Sequence, residues 1–390
     1  AVGHTRWATH GIPSRENSHP HTSCCGKISV VHNGIIENFD VLKKNLEKEG
    51  HKFKSQTDTE VIVHLIEKFY KDTNDLKQSV KLTLDRLEGT YGLVIMSSDE
   101  PGRMIAARNS SPIIIGVGEE ENFVASDAAA IIKYTKKIIY LEDGELAVVE
   151  RDSINIFNNK NIKVDKKVQS LKWEAHEVEK GDYEHFMLKE IHEQAKTFSS
   201  TLAGHLDFEN GTARLGGMVN LFPENSIHDI ERIILVGCGT AWHATLLGEY
   251  YFEMLTGIPT EVEYASELRY RSPIINKNTF VIAVSQSGET ADTLAALQEA
   301  KEKGAKLFGI VNVVGSSISR LVDQGLYVHV GPEIGVASTK AFLSQILGLF
   351  LVALYIGRKK RISLKNGLSY IKELQKLPEK ISRIIDELEA

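Results

Sequence analysis

The run Ser285-Gln286-Ser287-Gly288-Glu289-Thr290 follows the apolar stretch 280–284 and opens a helical pattern. Its residue types suit one task well. A phosphate monoester dianion needs several donors converging on one point, and a strand-to-helix turn offers free backbone N–H groups at the positive end of a helix dipole. Ser285, Ser287 and Thr290 add hydroxyls, and Gly288 allows close backbone approach. The dipole contributes only about 0.3–2 kcal/mol, so hydroxyls and amides must supply most of the grip. The rival reading is that Ser and Thr merely cap the helix, a role they prefer anyway. Three hydroxyl residues and a glycine in six positions favour the phosphate cradle.

Two further strand-end segments accompany it. Gly237-Cys238-Gly239-Thr240-Ala241 follows an apolar strand, but Trp242 stands where a dinucleotide fingerprint needs its third glycine, so no nicotinamide cofactor is expected. Cys238 reads as a buried small residue rather than a nucleophile. In Glu333–Lys340, Ser338 and Thr339 are placed to cap a helix or meet a ligand, and Lys340 reads as an ion-pair residue rather than a Schiff-base lysine.

The N-terminal clusters suit a different ligand. A free amino acid takes a guanidinium for its carboxylate and a carboxylate for its ammonium; Arg6 and Asp58 have those types. Amide hydrolysis needs donors aimed at a tetrahedral oxyanion, which the Asn33 side chain and the Gly34 N–H can supply. Each has a structural rival: a surface ion pair for Arg6, a hairpin turn for Asn33-Gly34, and a capping box of Thr57 with Glu60 around Asp58. The histidines at 4, 10, 19, 21 and 32 fit no compact ligand spacing and sit near Arg6, so no metal is expected.

These clusters must be held by two kinds of scaffold. Residues 1–158 read as helices beside β-rich runs, in layers. Residues 159–217 read as a linker and a leading helix from near Tyr183 past Leu202. Residues 218–360 alternate fully apolar strands with helices, the pattern of a doubly wound parallel sheet, which binds ligands at its C-terminal strand ends. Residues 361–390 read as a terminal amphipathic helix, expected to lead towards a further domain not in this sequence.

The 390 residues are 42% hydrophobic and 25% charged, an ordinary globular composition, and the net charge of −6 gives no footprint for nucleic acid or an anionic membrane. Three cysteines without a C-x-x-C pair suggest a reducing, cytoplasmic setting. The apolar run from Ile346 to Ile356 is too short to span a bilayer. No signal peptide is seen, and because the chain opens on Ala1 in a dense His/Arg/Trp cluster, the natural N-terminus is expected to be missing.

Over roughly 218–360 the three strand-end motifs resemble the sugar isomerase (SIS) domain. His4 to Gly11, His19-Pro20-His21, Val31 to Asn38, Asp58-Thr59-Glu60, Ser111 to Gly116 and Ala125-Ser126-Asp127 resemble the class II glutamine amidotransferase domain. Joined, they are similar to the isomerising glutamine–fructose-6-phosphate aminotransferase family. The resemblance implies an α/β chain: a truncated class II amidotransferase domain with Ntn-type αββα layers, then a doubly wound parallel-sheet SIS domain. It implies L-glutamine and fructose 6-phosphate as substrates, glucosamine 6-phosphate as product, no cofactor, and a homodimer or larger assembly.

It also implies roles. Arg6 and Asp58 would bind the carboxylate and ammonium of glutamine, with Thr9, His10 and Gly11 in the same pocket. Asn33 and Gly34 would form the oxyanion hole, and Trp7 would gate ammonia. Thr240, Ser285, Gln286, Ser287 and Thr290 would hold the sugar phosphate, with Val336 and Ser338 lining the sugar site. Ala241 stands where the family commonly has Ser, removing one hydroxyl. The family's N-terminal nucleophilic cysteine and second SIS domain are not in this sequence, and Cys24 and Cys25 do not replace the former. The expectation is an internal fragment, inactive alone. The alternative is a phosphosugar-sensing protein with a degenerate amidotransferase domain.

Overall fold

Alternation decides the first unit. In the strand Ile28–Ile36, Ile28, Val30 and Ile36 face one side and Val31 the other. Tyr91, Leu93 and Ile95 repeat this against Val94 in Gly89–Ser97, as do Ile105 and Ala107 against Ala106 in Met104–Asn109. Period-two burial on both faces means that a sheet is covered twice. In the computed structural model, which describes every residue except Trp7, Lys172, Trp173 and Ala390, this is what forms.

A seven-stranded antiparallel sheet runs in the order His21–Thr22, Ile28–Ile36, Gly89–Ser97, Met104–Asn109, Leu146–Val149, Ile154–Phe157, Lys163–Val164. The helices Phe39–Lys48, Glu60–Thr73 and Leu76–Leu84 supply the apolar residues that cover one face, among them Leu46, Val61, Leu65 and Val80. A four-stranded sheet, ordered Gln169–Ser170, Lys137–Tyr140, Ile114–Val117, Asn122–Ala125, packs on the other through Ile113, Ile115 and Ile139. The 3-10 turn Ala128–Ala130 lies on its outer side. The unit extends to Ala175, because the short strands at 163–164 and 169–170, within the stretch read as linker, pair into its two sheets.

The second unit, His176–Ala390, holds a five-stranded parallel sheet. Its order is Thr260–Tyr264, Arg232–Gly237, Thr279–Ser285, Lys306–Val311, Gln324–Tyr327. Ile233, Leu235, Phe280 and Ile282 face one helical layer and Ile234, Val236, Val281 and Ala283 the other, so each strand reads as an unbroken apolar run. The chain order reverses beside Arg232–Gly237, which puts the switch point between its end and that of Thr279–Ser285.

Two helical expectations change. The leading helix is two segments, Phe186–His192 and Gln194–Leu202, broken at Glu193, although the Glu193 and Thr197 amides keep their bonds four residues back. The apolar run at 346–356 is the middle of a longer helix, Lys340–Lys360, which is long and apolar enough to cross a bilayer. Leu347, Leu349, Leu351 and Val352 are buried in the core of the unit, which accounts for the apolarity. The terminal helix Leu364–Glu389 packs back through Ile371 and Leu374.

Candidate functional site

Each unit has a polar hollow at the place its motifs mark. In the first unit it is a cavity of about 900 Å³, walled by Gly3–Arg6, Thr9 and His10, the turn at Thr57–Thr59 and the segment Val124–Asp127. Asn33 and Gly34 line it, but they are not a turn. The strand continues through them to Ile36, pairing Asn33 with Gly92 and Gly34 with Tyr91. Gly34 has φ of 139°, and a Cβ there would lie 2.2 Å from the Thr90 carbonyl oxygen. The strand can pass this point only as glycine.

Behind it, the His32 ring bridges Thr59 Oγ1 at 2.9 Å and the Thr90 carbonyl at 3.2 Å. The carbonyl only accepts, so Nε2 carries the proton and Nδ1 accepts from the Thr59 hydroxyl. Burial pushes the His32 pKa down against the pull of Asp58, which keeps the ring neutral. Thr59 and Thr90 both line the cavity; Thr59 belongs to the Asp58-Thr59-Glu60 segment but takes no role of its own from the sequence, and Thr90, outside any motif, gives no signal there.

Asp58 is 3% exposed. Its Oδ2 accepts from the Ile36 amide at 2.8 Å, and its Oδ1 faces His10 Nδ1 at 3.7 Å. The capping-box reading fails. Thr59, at the N-cap, makes no side-chain cap bond, and Glu60 turns back to accept from Lys54 N at 2.9 Å, Ser55 N at 2.7 Å and Ser55 Oγ at 2.7 Å. Burial works against the Glu60 charge, but His64, Ser55 and these amides hold its pKa down to about 2. Asp58 is thereby left beside the cavity rather than spent on the helix.

Arg6 lines the cavity in a left-handed conformation, φ 53°. Its guanidinium donates to the carbonyls of His10, of Gly11 at 3.1 Å and of Ile12 at 3.3 Å, so it closes its own loop. Thr9 and His10 line the cavity too. Gly11 is not part of the lining; its φ of 74° and the Asn17 side chain 2.8 Å from any added Cβ make it a turn residue. Trp7 lies outside the described residues.

His4 stacks on His19 at 4.6 Å, and His19 meets His21 edge-on at 5.0 Å. Burial, then the charges of His4, His21, His32 and Arg6, lower the His19 pKa from 6.5 to about 3. The unfolded chain therefore takes up a proton below about pH 6.5 that the folded ring refuses until about pH 3. Stability is expected to fall as pH drops through that window, with Glu60 adding the same trend below about 4.5. Thermal melts from pH 7 to 4 test this: His19→Gln should flatten the slope, and an unchanged slope contradicts the assignment.

In the second unit a cleft of about 140 Å³ opens at the switch point. Thr240, Ala241, Ser285, Gln286, Ser287, Thr290 and Ser338 line it, so the three separated motifs meet. Thr290 precedes the helix Ala291–Glu302 but does not cap it; its Oγ1 lies 3.2 Å from Ser285 Oγ. The Gly288 amide donates to Ser285 Oγ at 3.0 Å and the Glu289 amide to Ser287 Oγ at 3.2 Å. Both serine hydroxyls thus shape the loop by accepting an amide; Ser287 keeps its proton to donate, while one proton of the Ser285–Thr290 pair is shared between those two oxygens until a ligand draws it away. Glu289 turns away to accept from Ser317 N and Oγ, both at 2.8 Å.

Ser338 is held by Glu333 at 2.7 Å, and the same carboxylate takes the Thr339 and Ala341 amides at the start of the Lys340–Lys360 helix. Lys340 is buried against Glu193 at 2.6 Å, an ion pair. Val336 is 96% exposed and not part of the lining. Gln345, one turn into the helix, does line the cleft; it is 1% exposed and its Oε1 has no hydrogen-bond partner among the described residues. Sequence reading passed over it because it sits inside an apolar helical run.

Comparison with known families fits this geometry. Residues 4–133 match the glutamine amidotransferase domain family and residues 226–355 the SIS domain family. The chain pairs a glutamine amidotransferase domain with a SIS domain. It is 47% identical over 391 aligned residues to the glutamine–fructose-6-phosphate aminotransferase (isomerising) of Chlorobaculum tepidum. It is 48% identical over 389 to the protein of the same name from Caldanaerobacter subterraneus subsp. tengcongensis. Both alignments cover 100% of this chain, which spans 63% of the length of each relative. Among solved structures, the C-terminal domain of glucosamine-fructose-6-phosphate aminotransferase from Francisella tularensis matches with 34% identity and a TM-score of 0.48, covering 52% of this chain and 56% of that one. The amidotransferase domain contains the Asp58 cavity, and the SIS domain contains the Ser285–Thr290 cleft.

Proposed function

We propose that this chain provides the glutamine-binding and sugar-phosphate-binding parts of an enzyme that moves the amide nitrogen of L-glutamine to fructose 6-phosphate and isomerises the product to glucosamine 6-phosphate. The observation that carries the reading is the convergence of Thr240, Ser285, Gln286, Ser287, Thr290 and Ser338 on one cleft at a parallel-sheet switch point, in a chain whose other domain is an amidotransferase.

In the amidotransferase cavity Asp58 Oδ1 takes the glutamine ammonium, and Arg6 takes the carboxylate by exchanging loop carbonyls for the ligand. The Asn33 side-chain amide and the Gly34 N–H stabilise the oxyanion of the tetrahedral intermediate. In the SIS cleft the phosphate receives the Ser285, Ser287 and Thr290 hydroxyls and the amides opening the Ala291–Glu302 helix, which fixes the sugar for attack. Lys340, paired with Glu193, takes no part in the chemistry. A cytoplasmic setting fits the three free thiols.

The protein encoded by the gene, given both substrates, should form glucosamine 6-phosphate and glutamate in equal amounts. Hexose-phosphate binding without glutamine turnover would instead support a phosphosugar sensor and overturn the proposal.

A further inference from the structure

Outside both clefts, four side chains of three types converge within the first unit. Cys24 lies between the strands His21–Thr22 and Ile28–Ile36, His51 follows the helix Phe39–Lys48, and His64 and Glu67 share one face of Glu60–Thr73. One ligand atom from each lies within 4.8 Å of all the others. His51 Nδ1 is 3.3 Å from His64 Nδ1 and 3.3 Å from Glu67 Oε2, and Cys24 Sγ is 3.6 Å from His64 Nδ1 and 4.0 Å from His51 Nδ1. A tetrahedral zinc with Zn–N near ~2.05 Å and Zn–S near ~2.3 Å has N···N edges of about 3.3 Å and N···S edges of about 3.6 Å. The His51–His64, His51–Glu67 and Cys24–His64 spacings match such edges, while Cys24–His51 at 4.0 Å and His64–Glu67 at 3.9 Å would close by about half an ångström around one small cation.

The surroundings are built to the same end. His64 and Glu67 are 1% and 3% exposed. The buried Nε2 of His64 lies 3.6 Å from Glu60 Oε1 and makes no hydrogen bond among the described residues, while its Nδ1 faces Cys24 Sγ and His51 Nδ1 in the cluster. A carboxylate behind the far nitrogen of a ligating histidine is the usual outer support of a metal site. The Lys52 amide points at Cys24 Sγ from 3.4 Å, and the Cys24 and Cys25 amides hold Glu67 at 3.2 and 2.8 Å. Cys24 is exposed, which gives a route of entry.

We propose that Cys24, His51, His64 and Glu67 form a structural site for a zinc-class divalent cation. Thiolate, imidazole and carboxylate together select zinc over magnesium or calcium, and four protein ligands leave no open position for catalysis. Binding exchanges the Cys24 thiol proton for the metal, with both imidazoles neutral. The cation would clasp the hairpin, the loop after the first helix and the Glu60–Thr73 helix. Glu60 extends the clasp through Ser55 Oγ at 2.7 Å and Thr57 Oγ1, a further 2.9 Å, to the wall of the glutamine cavity. None of the four belongs to the histidines weighed from sequence, because Cys24 and Glu67 are 43 residues apart and only the fold joins them.

The full chain, stripped with chelator and dialysed against zinc, should retain one equivalent by elemental analysis and melt at a higher temperature than the stripped form. Cobalt in place of zinc should give intense tetrahedral d–d bands and a thiolate-to-cobalt charge-transfer band. Cys24→Ser should abolish the charge-transfer band and weaken zinc by at least the ~10–100-fold that outer-shell partners alone are worth. Cys25→Ser, whose sulfur faces Ser23 Oγ at 3.2 Å, should change neither. No retained zinc and no shift in melting temperature, or equal behaviour of wild type and Cys24→Ser, would overturn the site.

Discussion

Asp58→Asn should weaken L-glutamine binding by about 10–150-fold, the worth of a charge-assisted hydrogen bond of about 1.5–3 kcal/mol. The substitution keeps an oxygen for the Ile36 amide, which Asp58 Oδ2 holds at 2.8 Å, so the strand anchor survives. It replaces the cavity-facing oxygen with an NH₂ that repels an ammonium. Calorimetric titration with glutamine, beside a thermal melt, separates the two effects. Weaker binding at an unchanged melting temperature is expected, and fructose 6-phosphate binding should not move. Undiminished glutamine affinity would remove Asp58 from the ligand.

Gly288→Ala should have the largest effect on the SIS domain. Gly288 has φ of 68°, where a side chain costs about 1–2 kcal/mol. An added Cβ would also lie 2.1 Å from Ser316 Oγ and 2.6 Å from Ser316 Cβ, and Ser316 is completely buried. Overpacking of this kind costs about 1–3 kcal/mol. Because the Gly288 amide orients Ser285, moving the loop spoils the convergence of donors as well. Hexose-phosphate affinity should fall by roughly 100-fold, on a loss of about 3 kcal/mol, and the melting temperature should drop. Adding Ser316→Gly removes the clash but not the backbone cost, so the double variant should recover part of both losses. Undiminished hexose-phosphate affinity of Gly288→Ala would mean that the loop tolerates displacement and is not the grip.

The SIS half was the more legible, for a physical reason. A strand buried on both faces appears as an unbroken apolar run, and its end is marked where small polar residues begin; Val284 to Ser285 is such an edge. In the amidotransferase half the same logic misled at Asn33-Gly34. The dipeptide is a strong local turn signal, but pairing with Tyr91 and Gly92 carries the strand through it. Register against a distant strand outweighs two residues of propensity. Glu60 likewise has capping-box spacing from Thr57, yet its carboxylate is claimed by Lys54 and Ser55. Long-range partners such as Lys340 with Glu193, or Glu190 with the Ile334 amide at 2.6 Å, leave no local trace at all.

The grip of the 285–290 loop on a phosphorylated hexose is tested most directly by calorimetry of the 390-residue chain with fructose 6-phosphate, beside fructose and a Ser287→Ala/Thr290→Val variant. One hexose phosphate should bind per chain, fructose should give no heat at the same concentrations, and the variant should lose the signal while melting normally. Equal heats from fructose and its phosphate, or from wild type and variant, would contradict the account.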